Sequence, residues 1–179
     1  MKKIGRMFMV AATAMTSVTI LSSPAHASNG NYVLRSIRTN LCATYQTYGG
    51  AMVVDMETCN GSTSQIWHWN SPDNNAYGEF NAYTAPSTCL GINPNSTPQD
   101  PSVGAWVCGT IPTDQSSVWM QRDSAGGGTE LWNQNAMNQG RDRWPKQMLA
   151  FWSAEDTFLT LAPADTRGGP TSWDLMETT

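Results

Sequence analysis

The chain has 179 residues, and its 10 Lys and Arg stand against 14 Asp and Glu for a net charge of −4. That acidic balance excludes a surface built to neutralise phosphates, and with it a nucleic-acid partner. The length suits one domain around one core.

Residues 1–27 have the layout of an export leader. Lys2, Lys3 and Arg6 give a positive start, residues 7–21 are mostly apolar, and Ala25-His26-Ala27 offers the small residues that a leader peptidase reads. The apolar run is too short and too interrupted for a spanning helix. Nothing after it approaches spanning length, so no membrane span is expected. A double-lysine start suits a bacterial leader, and the expected product is a secreted bacterial domain of residues 28–179. Without the leader the balance is seven Lys and Arg against 14 acids, or −7.

Beyond the leader the chain reads as short β-rich runs at 32–36, 41–45, 51–57 and 66–70. Segments 72–75, 94–101 and 125–128 carry the Pro, Gly, Asn, Asp and Ser that mark turns. No apolar spacing of 3.6 residues persists after residue 27. Many short strands at regular spacing predict an all-β architecture, closed or nearly closed.

The runs also repeat. Leu41-Cys42-Ala43-Thr44, then Val53 to Cys59, then Gln65-Ile66-Trp67 return about 47 residues later. The second copy is Thr88-Cys89-Leu90-Gly91, then Ala105-Trp106-Val107-Cys108, then Ser117-Val118-Trp119. A period of this size means one supersecondary unit built several times. Closure asks for a third unit, and two registers offer one. In the first, 149–152 and 157–161 echo 80–83 and 88–92, and Met176-Glu177-Thr178 echoes Met56-Glu57-Thr58. Phe158 and Thr179 then replace the cysteines, and residues 120–147 remain a long irregular segment. In the second, the unit starts at Glu130-Leu131-Trp132-Asn133 and uses Trp173 near its end. Both stay open at the level of sequence.

All four cysteines lie beyond the leader, where disulfides are reasonable chemistry. Repetition favours Cys42–Cys59 and Cys89–Cys108, because each pair then closes an equivalent loop. Zinc is disfavoured, since neither pair has C-x-x-C spacing and His68 is the one histidine after the leader. No metal or other cofactor is expected.

At these residues the chain resembles the ricin-type β-trefoil lectin domain. That family repeats a C-L-D strand, a strand ending near a second cysteine, and a Q-x-W strand three times about a pseudo-threefold axis. The resemblance implies a β-trefoil of three repeats and about twelve short strands, with the last Trp of each unit in the core and carbohydrate as ligand. In the family the Asp of C-L-D accepts two sugar hydroxyls, and an aromatic residue two before the second cysteine stacks on the sugar. Polar groups before the last Trp complete the site. Here Thr44 and Gly91 hold the two Asp positions, and Glu57 and Trp106 hold the aromatic positions. Gln65 keeps the Q-x-W glutamine and Ser117 replaces it in the second unit. The implied sugar pockets are degenerate, and Trp106 is the residue best suited to stack.

Strand alternation puts Trp106 on the outer face if Ala105 and Val107 face inward. An exposed indole there offers a flat apolar surface and one N–H. Asn93, Asp100 and Gln115 are polar groups that loops could bring to it, or plain turn formers. Thr44 and Gln65 are ligand candidates in the first unit, with Gln65 equally suited to tying down a loop through its amide. Trp67, Trp69, Trp119 and Trp152 read as core. Catalysis has little support: no motif surrounds any Ser or Cys, and Asp55 and Glu57 share a face as residues of any solvated strand can. Gly126-Gly127-Gly128 lacks the Lys and Ser/Thr of a phosphate loop. The expected function is therefore a secreted, non-enzymatic carbohydrate-binding protein. The alternative is a protein–protein module, such as a toxin-complex targeting subunit or an inhibitor. Its partner, another secreted protein, would meet Trp132, Trp144 and the 141–146 basic cluster.

Overall fold

The computed structural model describes residues 28–72, 76–93, 95–109, 116–124, 127–139, 146–153, 158–163, 165–166 and 169–178. The expected leader, Gln115, Trp144 and residues 141–145 of the basic cluster lie outside the described residues. Among the described residues no helix is long and apolar enough to cross a membrane.

Twelve strands run through the described residues. The first four are β1 Gly30–Ser36, β2 Leu41–Tyr48, β3 Ala51–Thr58 and β4 Ile66–Asn70. The next four are β5 Tyr77–Ala82, β6 Ala85–Ile92, β7 Ser102–Val107 and β8 Val118–Asp123. The last four are β9 Thr129–Asn133, β10 Lys146–Ala150, β11 Leu159–Pro163 and β12 Trp173–Glu177. A ring closes through β1, β4, β5, β8, β9 and β12, each antiparallel to the next, and β12 returns to β1. Hairpins β2–β3, β6–β7 and β10–β11 stand on this ring. Closure gives each of the six ring strands a partner on both sides, so the ring itself has no edge strand. Where the ring shuts, the Thr178 N–H donates to the Asn31 carbonyl at 2.9 Å.

One hydrogen bond marks each four-strand unit. Trp67 Nε1 donates to the Ala43 carbonyl at 2.9 Å, Trp119 Nε1 to Leu90 at 2.8 Å, and Trp173 Nε1 to Leu149 at 3.1 Å. Each indole is fully buried, so its N–H must be satisfied inside, and each satisfies it on its own hairpin. The ring also meets the hairpins at matching points, Arg35 against Cys42, Asn81 against Cys89 and Trp132 against Met148. Leu149 thus corresponds to Ala43 and Leu90, and Met148 stands where the other units have a cysteine.

These correspondences select the second register and correct the first. The third unit begins on β9, not at residue 149. Met176 and Glu177 lie on β12 opposite Val33 and Tyr32, so their likeness to Met56 and Glu57 of β3 carries no register. Residues 120–147 are not an irregular segment either: they hold most of β8, all of β9, the start of β10 and a helix, α1 Gln134–Gln139. Its first turn is capped by Asn133 Oδ1, which accepts the Ala136 N–H at 3.2 Å. One turn and a half is too short to show as a 3.6-residue pattern.

The core fills the ring with Trp67, Trp69, Trp119, Trp173, Phe80, Leu34 and Leu131, roofed by Leu90, Leu149, Phe151 and Leu159 of the hairpin side. Trp69 and Phe80 pack tilted, centroids 4.6 Å apart. Crowding there explains Gly78: a Cβ at that position would lie 2.6 Å from the Asn70 carbonyl and 2.8 Å from the Trp69 ring. Gly49 and Gly50 close the β2–β3 hairpin with φ of 57° and 86°, the left-handed pair that a two-residue turn of this kind needs. Trp152, expected in the core, is 39% exposed just beyond β10. Past the end of β10 Phe151 takes the buried place, and Trp152 next to it turns outward.

Candidate functional site

Cys42 is bonded to Cys59 and Cys89 to Cys108. Each bridge ties the start of a hairpin to the chain just past its end. Cross-strand register then aligns the three hairpins. Thr44 faces Asp55 and Cys42 faces Glu57 in the first. Gly91 faces Gly104 and Cys89 faces Trp106 in the second. Ala150 faces Thr160 and Met148 faces Ala162 in the third. The position that stacks on sugar in the resembled family is therefore Glu57, Trp106 and Ala162 in turn.

In the first unit Thr44 shares the outer face of the hairpin with Asp55, and Gln65 buries it there. The Gln65 amide donates to Thr44 Oγ1 at 3.1 Å and to the Thr58 carbonyl at 2.9 Å, and its oxygen accepts the Asn60 N–H at 2.8 Å. Thr44 Oγ1 donates to the Cys42 carbonyl at 3.1 Å. Both side chains are buried and their hydrogen-bonding groups occupied. Gln65 thus ties down the 58–60 turn, as its amide geometry allows. On the outer face of the same hairpin Gln46 donates to Glu57 and Tyr48 donates to Gln46.

Asp55 belongs to this outer group. Partial burial pushes its carboxyl above the ordinary carboxylate range, a hydrogen bond from Tyr48 pulls it back, and the charge of Glu57 pushes it up again. A carboxyl raised in the folded state binds its proton more tightly there than in the unfolded chain. Its contribution is full below the unfolded value and is lost as pH rises through the folded one. Asp55→Asn should therefore raise the melting temperature relative to the parent at pH 7 and lose that gain at pH 3. A gain equal at both pH values would show that the charge is not its cause.

In the second unit Trp106 lies on the outer face of β7, half-buried, while Val103 and Ala105 point into the core. Val107, expected to point inward, is 49% exposed because the strand ends there. The pyrrole edge of Trp106 rests on Gly104, where a Cβ would meet Nε1 at 3.5 Å. That Nε1 is buried without an acceptor among the described residues. Beside it, Gly91 is covered by the 116–117 backbone: a Cβ at 91 would lie 3.2 Å from the Ser116 carbonyl, and the Ile92 N–H donates to that carbonyl at 3.1 Å. No acidic side chain could project there without displacing the loop.

Asn93 is not brought to Trp106. Its N–H donates to Ser102, four residues up β7, which places it roughly 13 Å along the strand. Its Oδ1 accepts the Asn95 N–H and its carbonyl accepts Ser96, so it forms a turn. Asp100 closes a second turn onto Thr97. Trp132, expected at a partner surface, is only 4% exposed; it donates to Glu130 at 3.1 Å, with the Arg122 guanidinium 4.7 Å above its ring.

Sequence inspection missed a polar row on the wall of the ring. Asn31 of β1, His68 of β4 and Asn81 of β5 are direct cross-strand neighbours. With Asn70, Tyr83 and Pro86 they line a cleft of about 430 Å³. The only sequence signal was the alternation of Trp67, His68, Trp69 and Asn70, which sends His68 and Asn70 outward together.

No family model matches the chain, and no curated protein matches it. Solved structures do. The designed threefold-symmetric protein ThreeFoil is 15% identical, with a TM-score of 0.66 over 84% of this chain and 100% of its own. The β-trefoil lectin of the Vibrio vulnificus hemolysin/cytolysin, solved with N-acetyl-D-lactosamine bound, is 15% identical, with a TM-score of 0.61 over 86% of this chain and 98% of its own. A mosquitocidal holotoxin is 14% identical over 84% of this chain at a TM-score of 0.66, and this chain spans 17% of its length. A closed ring carrying three hairpins, matched across such different sequences, makes this chain a β-trefoil similar in fold to lectins and toxin segments.

Proposed function

We propose that the protein is an exported, non-enzymatic carbohydrate-binding β-trefoil that holds its ligand against Trp106. The observation behind this reading is that, of the equivalent positions Glu57, Trp106 and Ala162, only Trp106 is aromatic, and its ring remains on the outer face. Gly104 keeps a side chain away from the pyrrole edge of the ring, and the indole N–H has no acceptor among the described residues. The lectin fold of the Vibrio protein supports the ligand class. Two disulfides support export. Thr44 and Gln65 have no part in it, because their polar groups are occupied inside. One stacked ring and few hydrogen bonds give weak recognition, on the order of 1 mM or about −4 kcal/mol.

Titration of the protein with galactose-type and glucose-type oligosaccharides, followed by tryptophan fluorescence, tests this. Trp106→Ala is expected to weaken binding at least about tenfold, the loss of a stacking contact worth about 1.4 kcal/mol. No binding at about 10 mM, or an unchanged affinity in the variant, would sink the proposal. The likeness to a segment of a holotoxin favours a second reading, a targeting subunit of a larger toxin. A stoichiometric protein partner in native culture fluid that sugars fail to displace would support that reading over the first.

A further inference from the structure

We infer that the Asn31–His68–Asn81 cleft is a second saccharide site, independent of Trp106 and formed where the first four-strand unit meets the second. It shares only its ligand class with the proposed function. The cleft exists because of register. Asn31 faces His68 across β1–β4, and His68 faces Asn81 across β4–β5, so three polar side chains from positions far apart in sequence form one rung. Directly opposed residues on a sheet face sit about 5 Å apart at Cβ, close enough to grip one small ligand together. Asn70 continues the row two residues along β4, and Tyr83 of the β5–β6 turn and Pro86 at the start of β6 add a wall.

The chemistry of the lining selects the ligand. Among the described residues, none of the seven that line the cleft is Lys, Arg, Asp or Glu, so these side chains offer an anion or a cation no fixed counter-charge. Asn31 keeps its amide N–H groups, Asn81 its oxygen and Asn70 both, so the row presents donors and acceptors together, the pairing that adjacent sugar hydroxyls present in return. Tyr83 is 48% exposed and Pro86 is exposed, and together they offer the apolar surface that the C–H face of a pyranose covers. A neutral, hydroxyl-rich ring fits this set.

The hydrogen-bond inventory carries the inference further. His68 Nδ1 lies 3.0 Å from Asn31 Oδ1, which fixes the ring against β1. Asn81 Nδ2 donates to the Pro86 carbonyl at 2.9 Å and touches both sulfurs of the Cys89–Cys108 bridge, at 3.4 and 3.1 Å. The amide is thus clamped in one orientation. Its Oδ1 is buried and has no donor among the described residues. An amide oxygen left buried and unpaired costs about 1–3 kcal/mol, and a pre-oriented acceptor of this kind is a ready partner for an incoming hydroxyl. The bridge therefore shapes a binding site as well as closing a loop.

The test uses imidazole resonances of the full chain, with the His68 signal identified by its disappearance in His68→Gln. Methyl β-galactoside, methyl β-glucoside and N-acetylglucosamine are titrated to about 50 mM, with glycerol as control, and tryptophan fluorescence is recorded in the same samples. The expected result is a saturable shift of His68 with at least one sugar. In Tyr83→Ala the apparent Kd should rise at least about fivefold, with the fold retained because the side chain is exposed. The His68 shift should persist in Trp106→Ala. No His68 shift with any sugar, a shift matched by glycerol, or a shift lost in Trp106→Ala overturns the second site. The fluorescence response tells these outcomes apart from failure of the Trp106 reading, since it can be present or absent in each case.

Discussion

Trp173→Ala is expected to destabilise the protein by about 3–5 kcal/mol, the cost of emptying a fully buried indole site. Two effects combine. The cavity opens at the point where β12 joins β9 to β1, so the ring loses packing at its closure. The Leu149 carbonyl also loses its donor, in a buried place that water does not reach. The third unit has no disulfide among the described residues, so this indole shares the holding of its hairpin with the β9–β10 and β7–β11 pairings. Urea unfolding measures the loss; a destabilisation under about 1 kcal/mol would mean that the third hairpin is held by something other than Trp173.

Reduction of both disulfides is the second large effect expected. The bridges close loops of 17 and 19 residues, and each contributes about 3 kcal/mol in the chain-entropy model. Their sum, roughly 6 kcal/mol, falls within the whole stability of an ordinary domain, about 5–15 kcal/mol. Thermal melts with and without a phosphine reductant should differ by well over 10 °C. A difference of a few degrees would show that packing alone fixes the hairpins, as it already must in the third. Alanine at Cys42 and Cys89, which are fully buried, with serine at Cys59 and Cys108, gives the same comparison without reductant.

The first unit was legible because its physics is local. Strand β4 alternates with period two, β1 to β3 cluster β-forming residues, and the Gly49-Gly50 turn joins β2 to β3 at a point any reader can mark. The third unit was not, because Met148 replaces a cysteine, and only Trp173 remains to fix its register. The Met176-Glu177-Thr178 echo misled because three matching residues say nothing about which strand they occupy. Trp106 could be placed on the outer face from alternation alone. The burial of Thr44 against Gln65 could not, since it depends on two side chains 21 residues apart meeting inside a turn. The Asn31–His68–Asn81 rung was invisible for the same reason: its members share no motif, and strand pairing brings Asn31 to His68 within the first unit and Asn81 to His68 where the second begins.

The hydrogen bond from Thr178 to Asn31 has a consequence for how such a domain can be used. The described residues enter the ring at β1 and leave it from the adjacent β12, so Asn31 and Thr178 lie side by side. A host polypeptide could therefore carry the domain as an insert within one of its own surface loops. The entropy of closing that loop would be close to that of a short turn, because the insert returns the chain to where it left. Fusion at a terminus is not the sole architecture open to it.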